Sequence, residues 1–123
     1  MLVKYKKAFE KIAMGLISLM AQEKDVKRLM KTMQRYEEKE NWTLYLWKQD
    51  DEYIGVIGLK EKKDVAVIQH IAVIPSYLSE GVAQQMFDAL CELGQFETIQ
   101  ANEATEPFLQ KYVSIKCEVE DTR

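Results

Sequence analysis

Residues Val65 to Ile74 read Val-Ala-Val-Ile-Gln-His-Ile-Ala-Val-Ile, an almost unbroken apolar run rich in β-branched side chains and closed by Pro75. A strand with one face in water would alternate polar and apolar residues, so a continuous run reads as a strand covered on both faces. Pro75 has no amide to give a ladder and ends it. A strand buried on both sides needs a layer on each side, which points to an α/β domain with this strand inside the sheet.

The flanking chain supplies those layers. Leu2 to Lys6 alternates as a short first strand. From Lys7 to Met20 the apolar residues Phe9, Ile12, Ala13, Leu16, Ile17 and Met20 recur at helical spacing. Asp25 is placed to cap a second helix with the stripe Val26, Leu29, Met30, Met33 and Tyr36, whose other face, Lys27, Arg28, Lys31, Arg35, Glu37 and Glu38, reads as a solvated one. After Asn41 the period changes to two. Thr43–Lys48 and Tyr53–Leu59 read as strands joined by the polar turn Gln49–Glu52, and Glu61–Asp64 turns the chain into the buried run. Beyond Pro75, residues Ser76–Glu80 form a loop, and a helix runs from Gly81 to Leu93 on the stripe Val82, Met86, Leu90 and Leu93. Gly94 follows as its terminator. Phe96–Ala101 is a further strand, Thr105-Glu106-Pro107 opens a last helix through Tyr112, and the tail from Ser114 to Arg123 is expected to add a short strand. Tight turns make the three middle strands antiparallel neighbours, and the helical crossover makes the next strand parallel to the buried one. The expectation is a mixed central sheet flanked by helices, with a short C-terminal end.

At 123 residues the chain is a single domain, 1–123, on the rule of roughly 100–200 residues per domain. Lys and Arg total 17 against 20 Asp and Glu, a net charge of −3, so no broad basic footprint for nucleic acid exists. One histidine, His70, excludes a histidine-rich metal cage, and Cys91 and Cys117 lack the spacing of a zinc or redox pair. No metal site is expected. Five glycines form neither a G-x-G-x-x-G nor a P-loop pattern. The apolar stretch Ile12–Ala21 is broken by Gly15 and Ser18 and falls short of the ~20 residues that span a bilayer, so no membrane association is expected. With both cysteines read as unpaired, a cytoplasmic location follows.

The junction after the buried strand holds the chemistry. A helix opening with Gly81-Val82-Ala83 presents unpaired first-turn amides and the positive end of its dipole, and small residues let a phosphate approach the backbone. An ordinary turn, with Ser79 as cap, would use the same residues.

The segment Ile68 to Ala83, with its Ile71-Ala72-Val73-Ile74-Pro75 strand end and Leu78-Ser79-Glu80-Gly81-Val82-Ala83 loop, resembles the coenzyme A-binding core of the GNAT N-acetyltransferases. The element order over residues 1–112 is similar to that family's, and Asn102 followed by Thr105, Phe108 and Leu109 is similar to its second hallmark. The opening Tyr5–Leu16 and Leu46-Trp47-Lys48 look like its short, riboflavin-operon-associated branch. The resemblance implies acetyl-CoA as cosubstrate and direct transfer to the amine of a small molecule. It also implies that backbone amides of Ser79, Gly81, Val82, Ala83 and Gln84 hold the pyrophosphate, that main-chain groups of Ile71 and Val73 pair with the pantetheine arm, and that Asn102 steadies the cofactor. Two positions depart from the pattern. Leu78 stands where the loop has Gln or Arg, and Leu109 where many members carry an acidic tyrosine, leaving Tyr112 as the candidate general acid and His70 as the candidate base. These departures keep a second reading open, a GNAT-fold CoA-binding or regulatory module without transfer. A short C-terminus would also leave an open sheet edge for a homodimer.

Overall fold

The computed structural model describes residues 1–21 and 25–114. β1 (Leu2–Lys4) is followed by a 3-10 turn (Lys7–Phe9), α1 (Glu10–Ala21), α2 (Val26–Glu38), β2 (Trp42–Gln49), β3 (Glu52–Lys62) and β4 (Val65–Val73). A second 3-10 segment (Pro75–Glu80), α3 (Val82–Glu92), β5 (Thr98–Ala101) and α4 (Glu106–Tyr112) complete it. The sheet runs β1-β2-β3-β4-β5, antiparallel except for the parallel β4–β5 pair, as the turns and the crossover require. Asp50 and Asp51 both have positive φ, 52° and 65°, which gives the β2–β3 hairpin a tight turn compatible with strand twist.

The sheet separates two apolar layers. α1 and α2 bring Ala13, Leu16, Ile17, Leu29, Met33 and Tyr36 onto Leu44, Leu46, Val56 and Ala72. α3 and α4 bring Val82, Met86, Phe87, Leu90 and Leu109 onto Ile54, Ile57, Ile68, Ile71 and Val73. β4 therefore is the twice-covered strand read from its composition. Its alternation is broken once: Gly58 pairs with His70 and Leu59 with Ile68, so Gln69 is an extra, bulged residue. The bulge puts Ile68 and Ile71 on the same face although they are three apart.

Several expectations are corrected. Asp25 caps α2 by accepting from the Lys27 amide at 3.0 Å, but Val26 and Met30 of the expected stripe are more than half exposed. Ile12 and Leu93 are exposed as well, because a helix lying on a sheet buries only the arc that points down. The segment after Pro75 is a 3-10 turn rather than a loop, and α3 begins at Val82 with Gly81, not Ser79, before it. β5 begins at Thr98, since the amides of Glu97 and Thr98 both turn to the Asp64 carbonyl. Cys91 is disulfide-bonded, which overturns its reading as an unpaired thiol and removes one support for a cytoplasmic location. Cys117 and the expected tail strand lie outside the described residues.

Candidate functional site

The site starts from a split in the sheet. β5 pairs with β4 only from Val65 to Ile68, while β4 continues to Val73 with its other edge still on β3. The Ile74 amide donates across to Ile54 on β3 at 2.9 Å. Main-chain groups alternate direction along a strand, so those of Ile71 and Val73 point to the open edge. The Ile71 amide indeed faces away from β3, toward Met20 Sδ at 3.4 Å, a weak acceptor at the end of α1.

Thr105 keeps the split open. Fully buried, it donates through Oγ1 to the carbonyl of Ile68, the last paired residue of β4, at 3.0 Å, and accepts from the Asn102 amide at 3.0 Å. Asn102 Oδ1 accepts from the Thr105 amide at 2.9 Å and its Nδ2 donates to Gln69 Oε1 at 3.4 Å. This knot ties the start of α4 to β4 where β5 leaves. The Asn102 side chain thus has protein partners at both ends and acts on the walls of the site.

Beside the open edge lies a hollow of about 410 Å³ whose walls include Met20, Ile71, Val73, Leu78, Lys111 and Tyr112. It brings together four of the residues singled out from the sequence. Leu78 packs half-buried on the apolar layer, so this wall is greasy where a polar or cationic residue was the family expectation. Tyr112 reaches the hollow with its ring 4.8 Å from that of Phe108, whereas Leu109 is turned into the core.

Nearby, α3 presents its first turn. Gly81 has φ 79°, a left-handed conformation that places the helix start with no side-chain cap, and a Cβ there would meet nothing within 4 Å. The Gln85 amide makes the first intrahelical bond, to the Gly81 carbonyl at 3.1 Å, which leaves the amides of Val82, Ala83 and Gln84 ahead of the ladder. Ser79 is exposed and makes no cap bond. The Gln84 side chain is engaged elsewhere, accepting from the Ser114 amide at 2.6 Å and donating to Asp88 at 2.9 Å.

His70 faces the other side of the sheet. Its Nδ1 shares a hydrogen bond with the Tyr36 hydroxyl at 2.5 Å, and burial, helped by the charge of Arg35, lowers its pKa to about 4. At neutral pH it is an uncharged imidazole with one nitrogen taken.

Residues 14–113 match the model of the acetyltransferase (GNAT) family. The chain belongs to the GNAT family. An uncharacterized N-acetyltransferase in the lysA 3′ region of Bacillus methanolicus is 45% identical over 112 residues, covering 90% of this chain and 93% of that one. Aminoglycoside acetyltransferase AAC(6′)-Iy, solved with the bisubstrate analogue CoA-S-monomethyl-acetylneamine, superposes with a TM-score of 0.75 at 14% identity, over 100% of this chain and 95% of its own. A GNAT-family acetyltransferase of Staphylococcus aureus gives 0.70 at 14% identity, over 100% and 98%. Identities this low speak for the fold, and the five-strand mixed sheet agrees with them.

Membership makes this GNAT chain an N-acetyltransferase with acetyl-CoA as its cosubstrate, as the sequence resemblance implied. The residues fit that molecule: a free strand edge suits an amide-bearing arm, and an uncapped helix start suits a pyrophosphate. Met20 and Lys111 escaped the sequence reading, and Thr105 entered it only as a member of the family's second hallmark, without its buried bonds to Ile68 and Asn102. Met20 looked like one more member of an apolar stripe, and Lys111 like an ordinary last-turn cation.

Proposed function

We propose that the hollow between β4 and α4 is where this GNAT chain holds acetyl-CoA, and that it transfers acetyl to a small-molecule amine. The observation that carries the reading is convergence: the open edge at Ile71 and Val73, Leu78 and Tyr112 border one hollow. Acetyl-CoA supplies an acetyl group activated as a thioester. The main chain of Ile71 and Val73 holds the pantetheine arm as an added strand, displacing Met20 from the Ile71 amide. The amides of Val82, Ala83 and Gln84, reached past Gly81 and flanked by Ser79, hold the pyrophosphate. The Val73 amide donates to the thioester oxygen as charge builds there. As the N–C bond forms and the C–S bond breaks, Tyr112 gives its proton to the departing thiolate, and water takes the proton of the attacking amine. Asn102 contributes by holding the split open. His70, bonded to Tyr36 on the opposite face, takes no part in the base step.

The test is thiol release from acetyl-CoA over a panel of amines, with Tyr112→Phe beside the parent. The expected result is a kcat lowered about a hundredfold with the acetyl-CoA KM little changed; an unchanged kcat removes Tyr112 from the mechanism.

Leu78 and Leu109, one in the greasy wall and one in the core, favour a second reading, a CoA-binding or regulatory module. Turnover created by Leu78→Arg with Leu109→Tyr in a silent parent would establish it. Within the family we place the chain in the RibT-type, riboflavin-operon-associated branch, on Tyr5–Leu16 and Leu46-Trp47-Lys48. The reading puts the protein in the cytoplasm, where acetyl-CoA is made. Among the described residues no helix is long and apolar enough to cross a membrane. β5, the last strand of the described sheet, offers an edge for a homodimer, which light scattering after size exclusion tests.

A further inference from the structure

On the other side of β4 from the thioester hollow, α1 and α2 roof a cavity of about 350 Å³. Arg28, Lys31 and Arg35 line it together with Thr32, and His70 forms part of its floor. The three cations stand at i, i+3 and i+7 on α2, so they share one flank of the helix beside its buried stripe Leu29, Met33 and Tyr36. On a chain of net charge −3 this is a local inversion of sign. Asp25 lies 3.9 Å from Arg28 at the outer end, and the Arg35 guanidinium sits 5.6 Å from the centre of the Trp42 ring. The floor adds no charge of its own: His70, hydrogen-bonded to Tyr36 through Nδ1, is an uncharged imidazole at neutral pH.

The cavity and the hollow share one stretch of strand. His70 and Ile71 are consecutive, about 3.8 Å apart at Cα, and one faces the cavity while the other offers its amide to the open edge. A small molecule anchored over His70 is therefore held on the same strand as the open edge, one residue from Ile71 and three from Val73.

We propose that the acceptor amine carries an anionic group, a carboxylate or a phosphate, and that Arg28, Lys31 and Arg35 seat this group with the amine directed toward the open edge of β4. The proposal rests on the transferase reading above and names its substrate class. Charge-assisted hydrogen bonds from a guanidinium suit both anions. The same cations repel an acceptor that is itself a polycation, so this chain differs in its preference from an enzyme for aminoglycosides.

The experiment measures thiol release from acetyl-CoA with four acceptors: β-alanine, 2-aminoethyl phosphate, neutral 3-aminopropanol and polycationic spermidine. Parent protein is compared with Lys31→Glu and with Arg35→Gln, both at exposed positions that leave the core intact. The expected result is a kcat/KM for one or both anionic acceptors about tenfold or more above the other two, the worth of a charge-assisted bond. Both variants erase that preference without changing the acetyl-CoA KM, and added salt weakens it. The better of the two anionic acceptors assigns carboxylate or phosphate. Turnover of 3-aminopropanol or spermidine as good as that of the anions overturns the proposal while the transferase reading stands. If acetyl-CoA stabilises the protein and no amine releases thiol, the transferase reading fails. The cavity is then decided by thermal unfolding: stabilisation by 2-aminoethyl phosphate or β-alanine that Lys31→Glu removes supports the anion site, and no shift with either overturns it.

Discussion

A methyl group at position 58 has nowhere to go, because a Cβ there would collide with the hydroxyl and ring of Tyr36. Gly58 lies on β3 opposite His70, and its missing side chain lets Tyr36 come down from α2 to reach the imidazole. Gly58→Ala should therefore destabilise the fold by about 1–3 kcal/mol, the usual range for overpacking, read as a lower urea midpoint with an unchanged slope. His70 adds a pH signature. Its pKa falls from the ordinary 6.5 to about 4 on folding, through burial first and the Arg35 charge second. Between those values the unfolded chain binds more protons than the native one, so stability is lost as pH falls from about 6.5 toward 4. The His70→Gln variant should lose less stability than the parent across that window, which melting curves at matched pH would show; an identical acid limb would contradict the assignment. In the sequence, His70 could be placed on the face opposite Ile71 and Val73 by alternation alone. That its partner is Tyr36 could not, since the pair is 34 residues apart and depends on the absent side chain at 58.

At the scale of elements, most of the architecture was legible because single residues carried it. Pro75 ends β4, Asp25 caps α2 and the change of period after Asn41 marks where helices give way to strands. The bulge at Gln69 was not, since an apolar run looks the same with or without one extra residue in the ladder. Nor was the parting of β4 from β5, which Thr105 enforces through a carbonyl 37 residues away in sequence. Thr105→Val removes that bond and leaves the Ile68 carbonyl and Asn102 amide without it. It should cost about 1–3 kcal/mol in denaturant unfolding and weaken acetyl-CoA binding as the split relaxes. Gly81 makes a sharper test of α3. Gly81→Val sets a β-branched residue at φ 79° before the helix start. It should raise the acetyl-CoA Kd by at least about tenfold while costing only ~1–3 kcal/mol of stability, measured by titration and by urea unfolding.

At the scale of the whole molecule, the sheet is a divider between two helical layers, and β4 borders a hollow on each side. The edge of β4 serves the hollow bordered by Leu78 and Tyr112, and its His70 face serves the basic cavity under α2. The proposed transfer uses that arrangement, with donor and acceptor held by separate surfaces and meeting at one carbonyl. Family membership was legible from Ile68–Ala83 because its strand, proline and loop follow one another in sequence. The basic cavity was not: Arg28, Lys31 and Arg35 read as a solvated helix face, and they are exposed, but the space they border beside His70 is made by α1 and β4, distant in sequence. The central claim, that the open edge and the α3 start form an acetyl-CoA site, is tested most directly by thermal unfolding with acetyl-CoA, CoA and ATP. A ligand at a hundred times its Kd adds about 2.7 kcal/mol, which for a domain of this size raises Tm by on the order of 10 °C. The account predicts that shift with acetyl-CoA and with CoA, little with ATP, and its loss in Gly81→Val. No shift with either CoA species at millimolar concentration would contradict it.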